Sequence, residues 1–341
     1  MIRNNQYVYL DHDFVETSDG WIFGVVSNVH PPGRILSYLK YLPGDGVWTR
    51  GAVRYRRVLA SYSMRVISQM LETVRRVRPE FIYRDPFIDD EFIYVPVEKV
   101  WKHHRCEEGL QNMMNKPLHR FEQTCVELVK KLAYESNVVD TFFGISGSLL
   151  LKLYNPVADI DLVVYGGTNF RKVVQASMAL QTREDRAATI STLTKNYMAK
   201  YPITEQEATK LAERCHTRGF FEGIPYSIHA VKTLAENTKQ YGSVASKFAG
   251  TARKTLKIID STEGVFTPAS YDVEDLDEGV VKKLVCYDTT FAGLFKEGDI
   301  VEAYGKLEQT RDFVENRVYM TLLIGSVKTA GMEYVKLLET A

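Results

Sequence analysis

Apolar and polar residues change their period three times along this chain. Over the first hundred residues, short apolar runs are broken by turn residues. "FVETSDGWIFGVV" places Ser18-Asp19-Gly20 between two such runs, and "RILSYLKYLPGDGVWTRGAVRYRRV" places Pro43-Gly44-Asp45-Gly46 between two more. Both patterns predict hairpins of an antiparallel sheet. In "ASYSMRVISQMLETVRRVRP" the apolar residues Met64, Ile67, Leu71 and Val74 recur at helical spacing, and Pro79 stops the helix. Residues 1–115 thus read as an N-terminal α+β domain, an antiparallel sheet plus one helix.

The second pattern opens near Pro117. "PLHRFEQTCVELVKKLAYES" sets Leu118, Phe121, Cys125, Leu128 and Leu132 on one helical face, and the β-branched "NVVDTFF" after it predicts a strand. A short helix "SLLLKLY", a strand to Tyr165, the pair Gly166-Gly167, a helix over about 169–180 and a capping box at Thr204 and Glu207 follow. "GFFEGIPYSIHAV" at 219–231 predicts a closing hairpin, so residues 116–240 form an α/β unit. From residue 241 to 341 the pattern becomes short strands broken by glycine, with "YDVEDLDEG" expected as a loop. "FKEGDIVEAYGKLEQ" alternates with period two after a Gly-Asp turn, which predicts a small β-barrel of OB-like character.

Composition narrows the setting. Hydrophobic residues make up 45% and charged residues 25% of the 341, with a formal net charge of zero, so any polyanionic partner must be met by a local patch. The densest is Arg50, Arg54, Arg56, Arg57, Arg65, Arg75, Arg76 and Arg78 against Glu72 and Glu80. It reads either as a solvated face paired with Asp85, Asp89, Asp90 and Glu91 or as a phosphate-binding surface for RNA or DNA. No apolar run is long enough to cross a membrane and no apolar leader follows the first arginine, so the expected compartment is the cytoplasm. The four cysteines, Cys106, Cys125, Cys215 and Cys286, lack metal-ligand spacing and are expected as reduced, buried thiols. "HHRC" at 103–106 has no matching ligand pair, and Trp21, Trp48 and Trp101 are expected to pack rather than stack on bases.

One stretch breaks the apolar pattern with chemistry. In "GISGSLLLKLYNPVADIDLVVY" at 144–165, Asp159 and Asp161 stand two apart inside a strand, so both carboxylates face one way while Ile160, Leu162 and Val164 enter the core. Two such carboxylates repel unless a cation lies between them, and hard oxygen ligands that leave room for phosphate suit Mg²⁺ or Mn²⁺. The preceding Gly144-Ile145-Ser146-Gly147-Ser148 joins strand to helix, and Gly147 lets backbone approach a ligand while Ser148 caps the helix.

The arrangement Gly147-Ser148, ten residues, then Asp159-Ile160-Asp161 resembles the fingerprint of the DNA polymerase β-like nucleotidyltransferase superfamily over residues 117–235. The whole chain also resembles a group of archaeal predicted nucleotidyltransferases, through "FVETSDGWIFGVV", "HPPGRILSYLKYLPG" and "GDIVEAYGKLE". The resemblance implies a central mixed sheet with helices and transfer of a nucleoside monophosphate from an NTP to a hydroxyl, with an RNA or DNA end favoured over a protein or small molecule. It assigns metal to Asp159 and Asp161 and the triphosphate to Gly144, Ser146, Gly147 and Ser148. It also implies a third carboxylate on a later strand. "IPYSIHAV" offers only Ser227 and His229 there, and Glu222 is the nearest acidic residue. A degenerate module that binds nucleotide or RNA without turnover is the alternative.

Overall fold

A computed structural model describes residues 8–59, 64–115, 119–153, 155 and 158–341, with the side chains of Met64 and Arg65 excepted. Pro117 and Leu118, where the second pattern opens, lie outside the described residues. The architecture is α+β, with three sheets and seven α-helices among the described residues.

The first sheet is antiparallel. It comprises β1 (Phe14–Thr17), β2 (Ile22–Val25), β3 (Arg34–Arg50), β4 (Val53–Arg57), β5 (Ile82–Asp85), β6 (Asp90–Pro96) and β7 (Val100–His104). The order is β5-β6-β3-β2-β1-β7, with β4 paired to β3. Helix α1 (Met64–Val77) lays Met70, Leu71 and Val74 on one sheet face against Phe23, Ile35 and Leu39. The hairpin at Ser18-Asp19-Gly20 forms as expected. Pro43-Gly46 does not turn the chain: it bulges out of β3, where pairing to β4 jumps from Pro43 to Trp48, both opposite Tyr55. The reversal comes at Gly51, whose φ of +60° suits glycine.

The central unit carries α2 (Cys106–Asn115), α3 (Arg120–Ser136), β8 (Phe143–Ile145), α4 (Gly147–Leu151), β9 (Ile160–Tyr165) and α5 (Gly167–Leu180). It continues through α6 (Arg183–Lys200), α7 (Glu205–Arg214), β10 (Arg218–Phe221) and β11 (Ile224–Val231). The strands form a mixed sheet ordered β10-β11-β9-β8, with β11 parallel to β9 and the outer pairs antiparallel. "NVVDTFF" is not a strand up to Phe143: Asn137 caps α3 in the left-handed conformation and Asp140–Phe142 forms a 3-10 turn, leaving three residues of β8.

The last region comprises β12 (Val244–Asp260), β13 (Ala269–Asp275), β14 (Val281–Cys286), β15 (Ile300–Asp312), β16 (Arg317–Ile324) and β17 (Tyr334–Glu339). Pairing runs β12-β13-β14-β16-β15 and returns to β12, so five strands close on themselves, with β14 parallel to β16 and β17 added to β15. The strands are longer than expected, and "YDVEDLDEG" is a loop only after Asp275. Its first half alternates buried Tyr271, Val273 and Asp275 with outward Asp272 and Glu274, a strand period. Asp275 then accepts the N–H groups of Asp277, Glu278, Val280 and Val281, which holds the turn.

Two cores cross these regions. One joins Leu10, Phe14, Tyr41 and Trp48 of the N-terminal part to the central helices and sheet; another joins α6 and α7 to the barrel through Leu193, Leu211, Leu256 and Leu284. Trp48 is buried and Trp21 packs under Arg78, whereas Trp101 is 67% exposed. All four cysteines are buried. Among the described residues, no helix is long and apolar enough to cross a membrane.

Candidate functional site

The site is a row of residues running across the mixed sheet. Register pairs Arg218 of β10 with Ser227 of β11, and Ser227 with Asp161 of β9, while Ser146 just after β8 donates its N–H to the Asp161 carbonyl at 2.8 Å. Paired residues share a face, so these side chains stand side by side; His229 lies two residues beyond Ser227 on the same face of β11, and Asp159 lies two residues before Asp161, just ahead of β9. The opposite face of β9, with Ile160, Leu162 and Val164, is fully buried in the core.

Gly147 closes one flank. Its φ is +62°, and a Cβ there would collide with the Asp161 carboxylate, so both conformation and space require glycine. Ser146 is the N-cap of α4, and its hydroxyl donates to the His12 carbonyl at 2.7 Å rather than to the helix. Ser148 does not cap α4: it lies buried inside it, its carbonyl accepting from Leu153. Gly144 backs directly onto Cys106 of α2, so it serves packing, away from the open side of the pair.

The two aspartates differ. Asp159 is exposed, and the charge of Asp161, then burial, holds its carboxyl above the usual range. Asp161 is 22% exposed and accepts from the Ser227 hydroxyl at 2.6 Å. Burial opposes its charge, but His229, Lys40 and Ser227 overcome that and hold it well below the usual carboxylate range. The Ser227 hydroxyl also lies 2.8 Å from His229 Nε2, which is itself 3.9 Å from Asp161, at ion-pair rather than hydrogen-bond distance.

Ser227 and His229 therefore face the pair, and no carboxylate joins them from β11. Glu222 sits five positions before Ser227, roughly 16 Å along the strand. It occupies the β10–β11 turn at φ +49°, 3.5 Å from the Thr124 hydroxyl of α3, so it is removed as a third ligand.

Three residues not singled out from the sequence complete the surroundings. His12, at φ +70°, packs its ring against His229 with centroids 4.4 Å apart and the planes tilted by 38°. Its Nδ1 is 2.9 Å from Asp11 Oδ2, close enough to attract but out of line for a hydrogen bond. Burial lowers the His12 pKa, but Asp11 and Asp161 more than offset it and the value is raised. His229 goes the other way, to about 4, through burial and the charge of His12. Lys40 is buried on β3 with its ammonium 5.0 Å from the Phe14 ring centroid, and its charge bears on both aspartates. Arg218 lies within electrostatic reach of both as well. The sequence did carry hints: Lys40 is the lone charge in "ILSYLKYL", and His12 stands between two acids in "DHD".

Elsewhere the candidate groups are paired. His103 contacts Asp13 and His104 contacts Glu16, each at 2.8 Å. Arg75 bonds Glu91 at 3.0 Å, Arg50 pairs with Glu16 and Arg78 with Asp19, which takes part of the basic run into ion pairs. Among the described residues, no group of three or more His, Cys, Asp or Glu side chains is placed to hold a metal ion.

No protein-family model matches the chain, and no solved structure matches it. It is 26% identical over 338 residues, 95% of this chain and 98% of the relative, to the uncharacterized protein MJ1086 of Methanocaldococcus jannaschii. That similarity runs nearly end to end, so it takes in all three regions, and the relative's name assigns no activity.

Proposed function

We propose that the chain is a nucleotidyltransferase that moves a nucleoside monophosphate from an NTP to a hydroxyl acceptor, using the face that carries Asp159 and Asp161. One observation carries the reading: Asp161 is wedged against Gly147, a position that both φ and space reserve for glycine, with Asp159 exposed two residues before it and near enough for the two charges to interact. A turn that brings bare backbone against a carboxylate leaves room for a phosphate chain at that flank.

The donor set fits one hard cation. Mg²⁺ or Mn²⁺ takes one or two carboxylates and fills its remaining positions with water and phosphate oxygens, so Asp159 and Asp161 would hold it without a third protein ligand. Bound there it would neutralise charge developing on the transferred phosphoryl group. The Gly147 turn would receive the β- and γ-phosphates, and Lys40 would offset the negative charge gathered on the face. In the reaction the acceptor oxygen bonds to the α-phosphorus, the bond from that phosphorus to the β-bridging oxygen breaks, pyrophosphate departs and the hydroxyl proton passes to water. An RNA or DNA end is the favoured acceptor, since a barrel with the strand order 1-2-3-5-4-1 is OB-like and such barrels bind single strands.

A specific observation also favours a second reading. Ser227 stands where the resemblance calls for the third carboxylate, which fits a module that binds nucleotide without turnover. Incubation with each α-labelled NTP and Mg²⁺ or Mn²⁺, in the presence of total RNA, separates the two. Transfer of label by the native chain and not by Asp159→Asn/Asp161→Asn supports the enzyme. Metal-dependent nucleotide binding without transfer supports the module. Neither would refute both.

A further inference from the structure

Arg218 is the unusual cation of this molecule. Other half-buried arginines are tied down: Arg50 to Glu16, Arg214 to Asp299, and Arg186 to the carbonyls of Ala212, Glu213 and Cys215. The Arg218 guanidinium, half-buried, makes no hydrogen bond or ion pair among the described residues, although the carboxylates of the pair lie within its electrostatic reach. Removing a guanidinium from water without a partner costs several kcal/mol at the upper end, so a site that keeps one this way is built for an anion.

Three further observations agree. Arg218 lines a shallow recess at the seam between the mixed sheet and the barrel, whose enclosed part is about 10 Å³, the room one water takes, so a larger anion would sit in its open mouth. Its lining mixes apolar Phe170, Ile228 and Val265 with Thr217, Thr267, Thr289 and His229, and no acidic residue lines it. Close by, Tyr197 is 4% exposed and its buried hydroxyl has no aligned hydrogen-bond partner, its neighbour being the weakly accepting Cys215 thiol.

Position then gives the recess a role. The row reads Gly147 turn, Asp161, Ser227, Arg218, so Arg218 is two strand spacings, about 10 Å, from Asp161 on the side away from Gly147. In phosphoryl transfer the attacking and leaving oxygens are in line across the phosphorus. With the leaving phosphates on the Gly147 flank, the attacking hydroxyl must enter from the Arg218 flank.

We infer that the Arg218 recess binds the acceptor through a phosphate group, so that the acceptor is a phosphorylated molecule whose hydroxyl is presented to the aspartate pair. This rests on the nucleotidyl-transfer reading. Arg supplies a planar fork for two phosphate oxygens, and the threonines supply hydroxyls for the others.

Calorimetry on the full chain with inorganic phosphate as the probe tests it, with and without a saturating non-hydrolysable NTP and Mg²⁺. The expected result is phosphate binding that persists beside bound nucleotide and weakens at least about tenfold in Arg218→Met. Should that variant melt early, Arg218→Lys, which keeps the charge and loses the fork, is expected to weaken phosphate severalfold with nucleotide affinity unchanged. A short 5′-phosphorylated oligoribonucleotide and glycerol phosphate, run as separate arms, distinguish a nucleic-acid end from a small phosphomonoester. Competition between phosphate and nucleotide, or unchanged phosphate affinity in both folded variants, would overturn the inference. Arg218-dependent phosphate binding by a chain that never binds nucleotide would remove the transfer reading and the acceptor role with it, leaving a bare oxyanion site.

Discussion

The two flanks of the aspartate pair are built from opposite materials. On the Gly147 side a positive φ and an excluded Cβ press backbone against Asp161, and the adjoining Ser146 hydroxyl is fixed on the His12 carbonyl. On the Arg218 side lies a shallow recess whose lining mixes a guanidinium and three threonines with apolar residues. A flank without side chains accommodates a ligand by shape and amide N–H groups; a flank with an unpaired guanidinium selects it by charge. Such an asymmetric site suits a reaction whose two substrates approach from opposite sides, and the same comparison says where each substitution should act.

The largest effect belongs to the centre. Asp161→Asn keeps the shape of the side chain and removes its charge from both flanks at once, so label transfer should fall on the order of a thousandfold or more, read as labelled product per turnover. Next comes the tight flank. Gly147→Ala puts a methyl where the Asp161 carboxylate stands and an L-residue at φ +62°. Strain of this kind costs about 1–3 kcal/mol, or roughly a five- to hundredfold loss of nucleotide affinity, while phosphate binding at Arg218 stays. Equal loss at both sites would break the comparison.

Acid should act through the open flank. His229, which lines the recess, is held to about 4, against an ordinary 6.5, so the folded chain binds fewer protons than the unfolded one between those values. Stability contributed by this group is therefore present above pH 6.5 and lost as pH falls toward 4, by up to about 1.4 kcal/mol per unit. His30 is a control outside both flanks. It is also held to about 4, its Nδ1 3.2 Å from the Leu36 N–H and its Nε2 3.1 Å from the Tyr9 carbonyl. Melting temperatures across that range should flatten by one proton's worth in either His229→Gln or His30→Gln, with phosphate affinity moving only in the former.

The smallest effect is expected at Ser227→Ala. It removes the 2.6 Å hydrogen bond to a charged carboxylate that is still partly solvated, worth about 1 kcal/mol, and the Asp161 carboxyl should rise toward its ordinary range. Carbon-detected titration of the Asp161 side chain checks the direction.

What could be read beforehand follows the range of the interactions. Asp159, Asp161 and Gly147 were legible because a strand, a turn and a glycine within fifteen residues fix their relation locally. Ser227 and His229 were legible as the polar positions of one strand, but the absence of a carboxylate beside them needed the register, which places Glu222 at the far turn. His12 and Lys40 were not, because they come from the N-terminal region, one in the turn before β1 and one on β3, across more than a hundred residues and through packing that no local period encodes. The hairpin at 219–231 was expected, yet Arg218 stands one residue before it. Among the elements, Pro43-Gly46 and "YDVEDLDEG" went wrong for related reasons: turn residues were read as chain reversal, while β3 absorbs them as a bulge and β13 carries its acids on the outward period.

Diffraction at the manganese edge, from crystals grown with Mn²⁺ and a non-hydrolysable NTP, tests the two-flank account most directly. The expected result is an anomalous peak between the carboxylates of Asp159 and Asp161, with the β- and γ-phosphates on the Gly147 side and the Arg218 recess free of nucleotide. A nucleotide whose phosphates lie on Arg218, or manganese bound away from both aspartates, would contradict it.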